Sequence, residues 1–221
     1  MLDFAKARRM MVDSQLRTFD VNDLAVLAAF DEVPRERFVP PGRESLAYMD
    51  QDLLVADGAK ASERRFMLAP MTLARMIQAL DLAPGAQVLD VACGLGYSSA
   101  VLSRLGCSVV ALETGEDLAA QARRRLAGAD GVMVAAGPLK RGFPDAAPYD
   151  AILVNGAVET RPDGLLRQLV NRGRLVCVEG RGRAATATLY VRSGEAFGPR
   201  SLFDSAAPLL AAFRAEPGFV F

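Results

Sequence analysis

The chain has 221 residues, with 26 basic and 26 acidic side chains and therefore no net charge, and it contains no histidine. That length fits one domain with a small appendage, and the 51% of hydrophobic residues can build a substantial core. Neutrality argues against a nucleic-acid partner, and the missing histidines exclude a histidine general base, a Ser-His-Asp triad and any histidine-ligated metal site.

Taken in order, residues 1–18 read as helical. Asp20 or Asn22 can cap a second helix carrying Leu24, Val26, Leu27, Ala28 and Phe30, which Val33-Pro34 stops. Arg35 to Pro41 reads as a short turn with an extended exit. Residues 44–66 show no periodicity and are expected to be irregular, with a turn at Asp57-Gly58. Pro70 to Leu82 places Leu73, Met76, Ile77 and Leu80 on one helical face, with Pro70 in the first turn. Val88 to Val91 is a short apolar run, the mark of a strand buried on both faces. A tight turn with Gly94 and Gly96 follows, then an amphipathic helix from Ser98 through Val101, Leu102 and Leu105. A second strand, Ser108 to Leu112, ends at Glu113.

Strand, glycine turn and helix open a nucleotide-binding βαβ unit. Glycines there let backbone approach a ligand, and the helix N-terminus presents free N–H groups. Glu113 lies close to the ~20-residue distance at which such units place a ribose-binding carboxylate. Asp90 can hold the turn through backbone N–H groups. A helix over Asp117–Leu126 has Leu118, Ala122 and Leu126 inward, with Arg123, Arg124 and Arg125 mostly outward on a solvated face. Strands are expected at Gly131–Ala135, Asp150–Val154 and Arg174–Val178, with a helix around Gly164–Leu169 between the last two. Thr186–Arg192, the turn Ser193-Gly194-Glu195 and a run through Leu202-Phe203 read as an antiparallel hairpin. The pattern predicts an α/β, doubly wound, mainly parallel, Rossmann-like sheet. It closes with a C-terminal antiparallel hairpin and carries an N-terminal helical extension, the layout of the class I methyltransferases. Leu27, Phe30 and Phe38 are expected in the core.

Cys93, Cys107 and Cys177 are scattered beside apolar runs, which suits reduced core thiols rather than a disulfide framework. No apolar run reaches the ~18 residues of a membrane span and Met1 to Arg9 lacks a signal-peptide apolar stretch, so a cytoplasmic protein without a membrane partner is expected.

Several stretches together resemble the protein-L-isoaspartate O-methyltransferase family. They are Leu27 to Pro40, which includes Val33-Pro34-Arg35-Glu36-Arg37-Phe38-Val39-Pro40, then Ala47-Tyr48, Pro70 to Leu82, the glycine turn, Ala147 to Val154, and Gly173 to Val176. The match runs in order over roughly residues 10 to 210. The Val33–Pro40 segment is its most specific part, because it lies outside the generic nucleotide-binding core. The resemblance implies S-adenosylmethionine (AdoMet) as cofactor, held by Asp90, Ala92, Gly94, Gly96, Glu113 and Leu139. It implies the α-carboxylate of an isoaspartyl residue in a damaged protein as methyl acceptor, no metal and no assigned catalytic residue. It further divides the chain into a helical extension with substrate-side loop over 1–82 and an AdoMet-binding core over 83–221. Such chemistry suits a chain without histidine. A carboxylate is already deprotonated and is its own nucleophile, so in-line placement supplies the rate.

Three positions depart from the family. Ala92 replaces the first glycine of the loop, where its methyl group either crowds the ligand or fills a shifted turn. Gly137-Pro138-Leu139 replaces a Gly-Asp-Gly whose acid lies beside adenine, at a cost of ~0.5–1.5 kcal/mol in cofactor binding. Phe66-Met67-Leu68 replaces a polar Thr-Ile-Ser that cradles the acceptor carboxylate, and losing one such donor typically costs ~10²–10³ in rate. Poor isoaspartyl turnover is therefore expected unless Ser62, Arg64 or Arg65 steps in, although paired arginines in a loop are usually solvated. The alternative is a non-catalytic or re-purposed relative with a binding role. A nicotinamide enzyme is disfavoured because its glycine series requires glycine at Ser99.

Overall fold

The computed structural model describes residues 3–58 and 64–216. Helix α1 (Phe4–Met11) begins at Asp3, which accepts the Lys6 N–H, and runs on through one π turn (Val12–Leu16) and a 3-10 turn to Phe19. Helix α2 (Leu24–Glu32) is capped by Asp23, whose carboxylate accepts from Ala25 and Val26. The expected caps Asp20 and Asn22 are otherwise engaged. Both bond the Gln78 side chain through their backbone, and Asp20 adopts a left-handed conformation. Val33-Pro34 ends the helix, and Arg35–Phe38 forms a 3-10 turn.

The stretch expected to be irregular contains a hairpin. Strand β1 (Leu53–Ala56) pairs antiparallel with β2 (Arg65–Met67), with a bulge between Leu54 and Ala56. Strands this short show too few alternations for the period to register in the sequence. The hairpin forms its own two-stranded sheet. Ser62 lies outside the described residues. Helix α3 (Pro70–Leu80) starts on Pro70 as expected and stops two residues early, where Asp81 turns left-handed.

The main sheet holds β3 (Gln87–Val91), β4 (Ser108–Glu113), β5 (Val132–Ala136), β6 (Tyr149–Val158), β7 (Leu169–Glu179), β8 (Thr186–Ser193) and β9 (Ala196–Asp204) in the order β5-β4-β3-β6-β7-β8-β9. The first five run parallel, while β8 and β9 add the expected antiparallel hairpin. Chain order reverses at β3, between β4 and β6, and such a switch point opens a crevice at the carboxyl ends of the strands.

Helices α4 (Tyr97–Arg104) and α5 (Glu116–Arg125) return the chain to β4 and β5. Their Val101, Leu102, Ala122 and Leu126 join one apolar cluster with α3, the N-terminal helices and the hairpin. Leu27, Phe30 and Phe38 are buried in it, and both phenylalanine rings lie about 6 Å from Tyr97, at 5.9 and 5.8 Å. The opposite face carries a second cluster with Leu139, Leu165, Leu166, Leu210 and Phe213. The helix expected around Gly164–Leu169 is a single turn, α6 (Asp163–Leu166). Strand β7 starts at Leu169, and the Tyr149 N–H already takes the Gln168 carbonyl, so the sheet claims residues a longer helix would need. The three cysteines are buried and unbridged. Among the described residues no helix is long and apolar enough to cross a membrane. Strand β9 forms one edge of the sheet, with Gly198, Pro199 and Arg200 at its middle.

Candidate functional site

The turn after β3 is built from left-handed backbone. Ala92, Gly94 and Gly96 have φ of 59°, 58° and 97°. The Cys93 N–H reaches across to the Leu112 carbonyl (3.2 Å), and the Gly96 N–H closes on the Cys93 carbonyl (2.9 Å). Alanine tolerates left-handed φ at a cost of roughly 1–2 kcal/mol. Its methyl group is buried in the cluster that holds Leu112 and Leu139, so it fills the turn with protein. The glycines face protein as well. A Cβ on Gly96 would sit 2.6 Å from Leu126 after α5, and one on Gly94 would sit 3.3 Å from Val55 of the hairpin.

Asp90 is fully buried and does not bond the backbone of the turn, as the sequence suggested. It accepts the hydroxyls of Ser98 (2.7 Å) and Ser99 (2.5 Å) and the Asn155 amide (2.6 Å), which also donates to the Val91 carbonyl (3.1 Å). These bonds tie the carboxyl end of β3 and the first turn of α4 to the middle of β6. Asn155 escaped the sequence reading because it lies in the middle of an apolar strand, 65 residues from its partner. Burial pushes the Asp90 carboxyl up to about 6, against its three donors. Its unfolded value is ~3.9, so between ~pH 4 and ~pH 6 the native state binds more protons and stability falls as pH rises. The penalty is complete above ~pH 6, absent below ~pH 4, and about 3 kcal/mol in size. Asp90→Asn is expected to remove it. In denaturant melts from pH 4 to pH 7, the stability of the variant relative to the wild type should rise by that amount. A constant difference would place the ionised carboxylate in a more favourable setting.

Glu113 ends β4, fully buried. Its Oε1 accepts from Arg65 Nε (2.8 Å) and the Thr114 N–H (2.6 Å), and its Oε2 accepts from the Gly94 N–H (3.0 Å). Glu113, rather than Asp90, therefore holds the backbone of the turn. Arg65 corrects the expectation of two solvated arginines. Its side chain is 9% exposed, while only its neighbour Arg64 reaches outward, to Asp57. Strand alternation explains the split, since Arg65 and Met67 face inward on β2. Arg65 also donates to Thr114 Oγ1 at 3.3 Å.

Below the hairpin sits Arg35, fully buried. Its Nε donates to the Ala47 carbonyl (2.7 Å), its Nη2 donates to the Leu68 carbonyl (2.6 Å), and its guanidinium lies 4.7 Å from the Tyr97 ring centre. Burial lowers the Arg35 pKa and pushes the Tyr97 phenol up to about 12. The Val33–Pro40 segment thus supplies the arginine that ties the loop at Ala47 and the base of the hairpin to α4.

Phe66, Met67 and Leu68 line a cavity of about 10 Å³ together with Val55, Leu73, Cys93, Tyr97 and Asn155, and they serve there as packing. On the far side, Gly137 donates to the Glu113 carbonyl (2.9 Å), and Pro138 leads into a 3-10 turn that buries Leu139. Phe213 shares that apolar cluster, and its carbonyl accepts from Glu159 and Thr160 beyond β6. Of the predicted site residues, Gly94 and Glu113 meet directly, Ala92 and Leu139 share a cluster, Asp90 stands behind the turn, and Gly96 starts α4. No group of three potential metal ligands occurs among the described residues.

The profile of the family described as protein-L-isoaspartate(D-aspartate) O-methyltransferase matches residues 6–197. A protein-L-isoaspartate O-methyltransferase of Methylorubrum extorquens is 43% identical over 194 residues, 87% of this chain and 82% of that protein. One from Roseiflexus castenholzii is 42% identical, covering 86% and 85%. A solved protein-L-isoaspartate O-methyltransferase superposes with a TM-score of 0.80 at 26% identity, over 91% of this chain and 65% of the other. A Plasmodium falciparum structure described as a putative member, in complex with S-adenosyl-L-homocysteine, superposes with a TM-score of 0.75 at 16% identity, over 95% of this chain and 99% of the other, a likeness of fold.

Proposed function

The chain belongs to the protein-L-isoaspartate O-methyltransferase family, and on that premise we propose that it transfers a methyl group from AdoMet to the carboxylate of an isoaspartyl residue in a damaged protein or peptide. The observation that carries this reading is the β3–glycine turn–α4 unit with Glu113 ending β4, inside a chain that the family profile matches over residues 6–197. Nothing in the comparisons favours a non-catalytic relative. Gly94, Gly96 and Glu113 are the proposed cofactor contacts, with Ala92 and Leu139 beside them and Asp90 as the support behind. Residues 1–82 are assigned to the acceptor side and 83–221 to the cofactor side.

AdoMet is the cofactor of the family to which the chain belongs, and the carboxylate at the end of β4 is the group its ribose hydroxyls would meet. Both Glu113 oxygens already accept hydrogen bonds from protein. The acceptor side is apolar at Phe66 and Leu68.

The test is methyl transfer from labelled AdoMet to an isoaspartyl peptide beside an aspartyl control. Transfer should be specific to the isoaspartyl peptide and slow, ~10²–10³ below a site with a full donor set. Absence of transfer from a protein that binds AdoMet would overturn the acceptor assignment, and rapid turnover would mean that other groups supply the donors.

A further inference from the structure

We propose that the Asn155-Gly156 peptide is a site of spontaneous deamidation, guarded by Asp90 and the Val91 carbonyl, at which the chain ages and loses the support behind its glycine turn. The step needs no cofactor, so the proposal stands apart from the methyltransferase reading.

Four observations carry it. First, the sequence has three asparagines, Asn22, Asn155 and Asn171, and only Asn155 is followed by glycine. Glycine has no side chain to keep its backbone nitrogen away from the preceding side-chain carbonyl, and asparagine is thermolabile. Second, the fold requires both residues. The Asn155 amide donates to Asp90 Oδ1 (2.6 Å) and to the Val91 carbonyl (3.1 Å), whereas a Cβ on Gly156 would sit 2.7 Å from Leu210 Cγ and 2.9 Å from the Pro208 carbonyl. Third, the β6–β7 ladder loses register between Leu153 and Ala157, so the pair falls in a break of the sheet on that side. Fourth, Asn155 lines the cavity of about 10 Å³ beneath the hairpin, about the space of the one water that ring opening consumes.

The chemistry is internal to the chain. The Gly156 nitrogen loses its proton to water and attacks the Asn155 side-chain carbonyl carbon. The amide leaves as ammonia, and a cyclic succinimide remains. Water then opens the ring at one of its two carbonyls, giving an aspartyl or an isoaspartyl residue. In the native state two hydrogen bonds hold the departing amide against β3, and Asn155 is only 8% exposed, so ring closure waits for a local opening. Each product spoils the site. An aspartate presents oxygens where Asp90 and Val91 need a donor, and two carboxylates in hydrogen-bond contact cannot both stay ionised. An isoaspartate adds a backbone carbon beside the tight packing of Gly156 on Leu210.

The experiment is peptide mapping by mass spectrometry after incubation at mildly alkaline pH. The samples are the native full chain, the same chain in urea and a synthetic peptide of residues 150–160. Conversion of Asn155 in urea should match the peptide and outrun Asn22 and Asn171, and the native chain should be ~10- to 100-fold slower. Asp90→Ala takes one charged acceptor from the amide and should speed the native reaction roughly 10-fold or more. If Asp90→Ala does not fold, the ratio of native to urea rates carries the test of the guard. The deamidated fraction, isolated by anion exchange, and the Asn155→Asp variant should both melt below the unmodified chain. Native conversion as fast as in the peptide, or a folded Asp90→Ala with an unchanged rate, overturns the guard. Conversion in urea no faster at Asn155 than at Asn22 and Asn171 overturns the site. A deamidated fraction as stable as its parent, or no conversion in the native chain at all, overturns the ageing role.

Discussion

Arg35→Ala is expected to destabilise the fold by about 4 kcal/mol, the sum of two charge-assisted hydrogen bonds and a large-to-small cavity. The Ala47 and Leu68 carbonyls lose their donor, and the Tyr97 ring loses the cation on its face. For a chain of this length that amounts to a melting midpoint lower by roughly 10 °C. Arg35→Lys should recover little, because one ammonium cannot reach two carbonyls in the fork geometry of a guanidinium. Calorimetry or circular dichroism melts decide it, and a loss under ~1 kcal/mol would mean that water takes over both carbonyls.

Glu113→Ala should be comparably severe, at about 3–5 kcal/mol, because it removes the carboxylate paired with the nearly buried Arg65 guanidinium. The Gly94 and Thr114 N–H groups lose their acceptor at the same time. The ribose-binding role that its spacing gives Glu113 would by itself lead to a loss of roughly 1–3 kcal/mol in cofactor affinity with the fold intact. The structure moves the main effect onto the fold. Glu113→Gln keeps one acceptor oxygen but turns its amide NH2 toward either the Gly94 N–H or the Arg65 and Thr114 donors, so it should recover only part of the loss in a urea melt. Equal losses for alanine and glutamine would mean that a single acceptor oxygen cannot stand in for the carboxylate there. Near-zero losses for both would mean that Arg65 leaves for solvent once its partner is gone.

The parallel half of the sheet was legible because each strand is an apolar run followed by a helix of clear period, and the C-terminal hairpin because its turn is short and polar. The site was legible only along the chain. Gly94, Gly96 and Glu113 could be placed by spacing, but what faces them comes from far away in sequence. Val55 and Arg65 sit on strands of four and three residues, too short to announce themselves. An arginine preceding Phe66 carries no local mark that distinguishes a buried ion pair from a solvated loop. Asn155 was hidden for the opposite reason, since a single amide within Tyr149–Val158 does not break a pattern dominated by apolar residues. Arg35 shows the value of a specific motif. The Val33–Pro40 segment was recognisable as a signature, yet its purpose, a guanidinium buried under the glycine turn, required the fold.

The position of Pro199 on the outermost strand bears on how the protein behaves when crowded. An exposed strand edge is a template for a second copy of the chain, and templated growth is the route to fibrils. Proline lacks the N–H that an incoming strand would need, and Gly198 beside it offers no side chain to interdigitate. Arg200 places a charge at the same point. The long edge of β9 is therefore interrupted near its midpoint, and a register shift that leaves Leu202 unpaired breaks it again, which shortens the stretch available to an intruding strand to a few residues. Concentrated solutions should resist β-type aggregation from this edge, and Pro199→Val would restore the missing donor and remove that resistance.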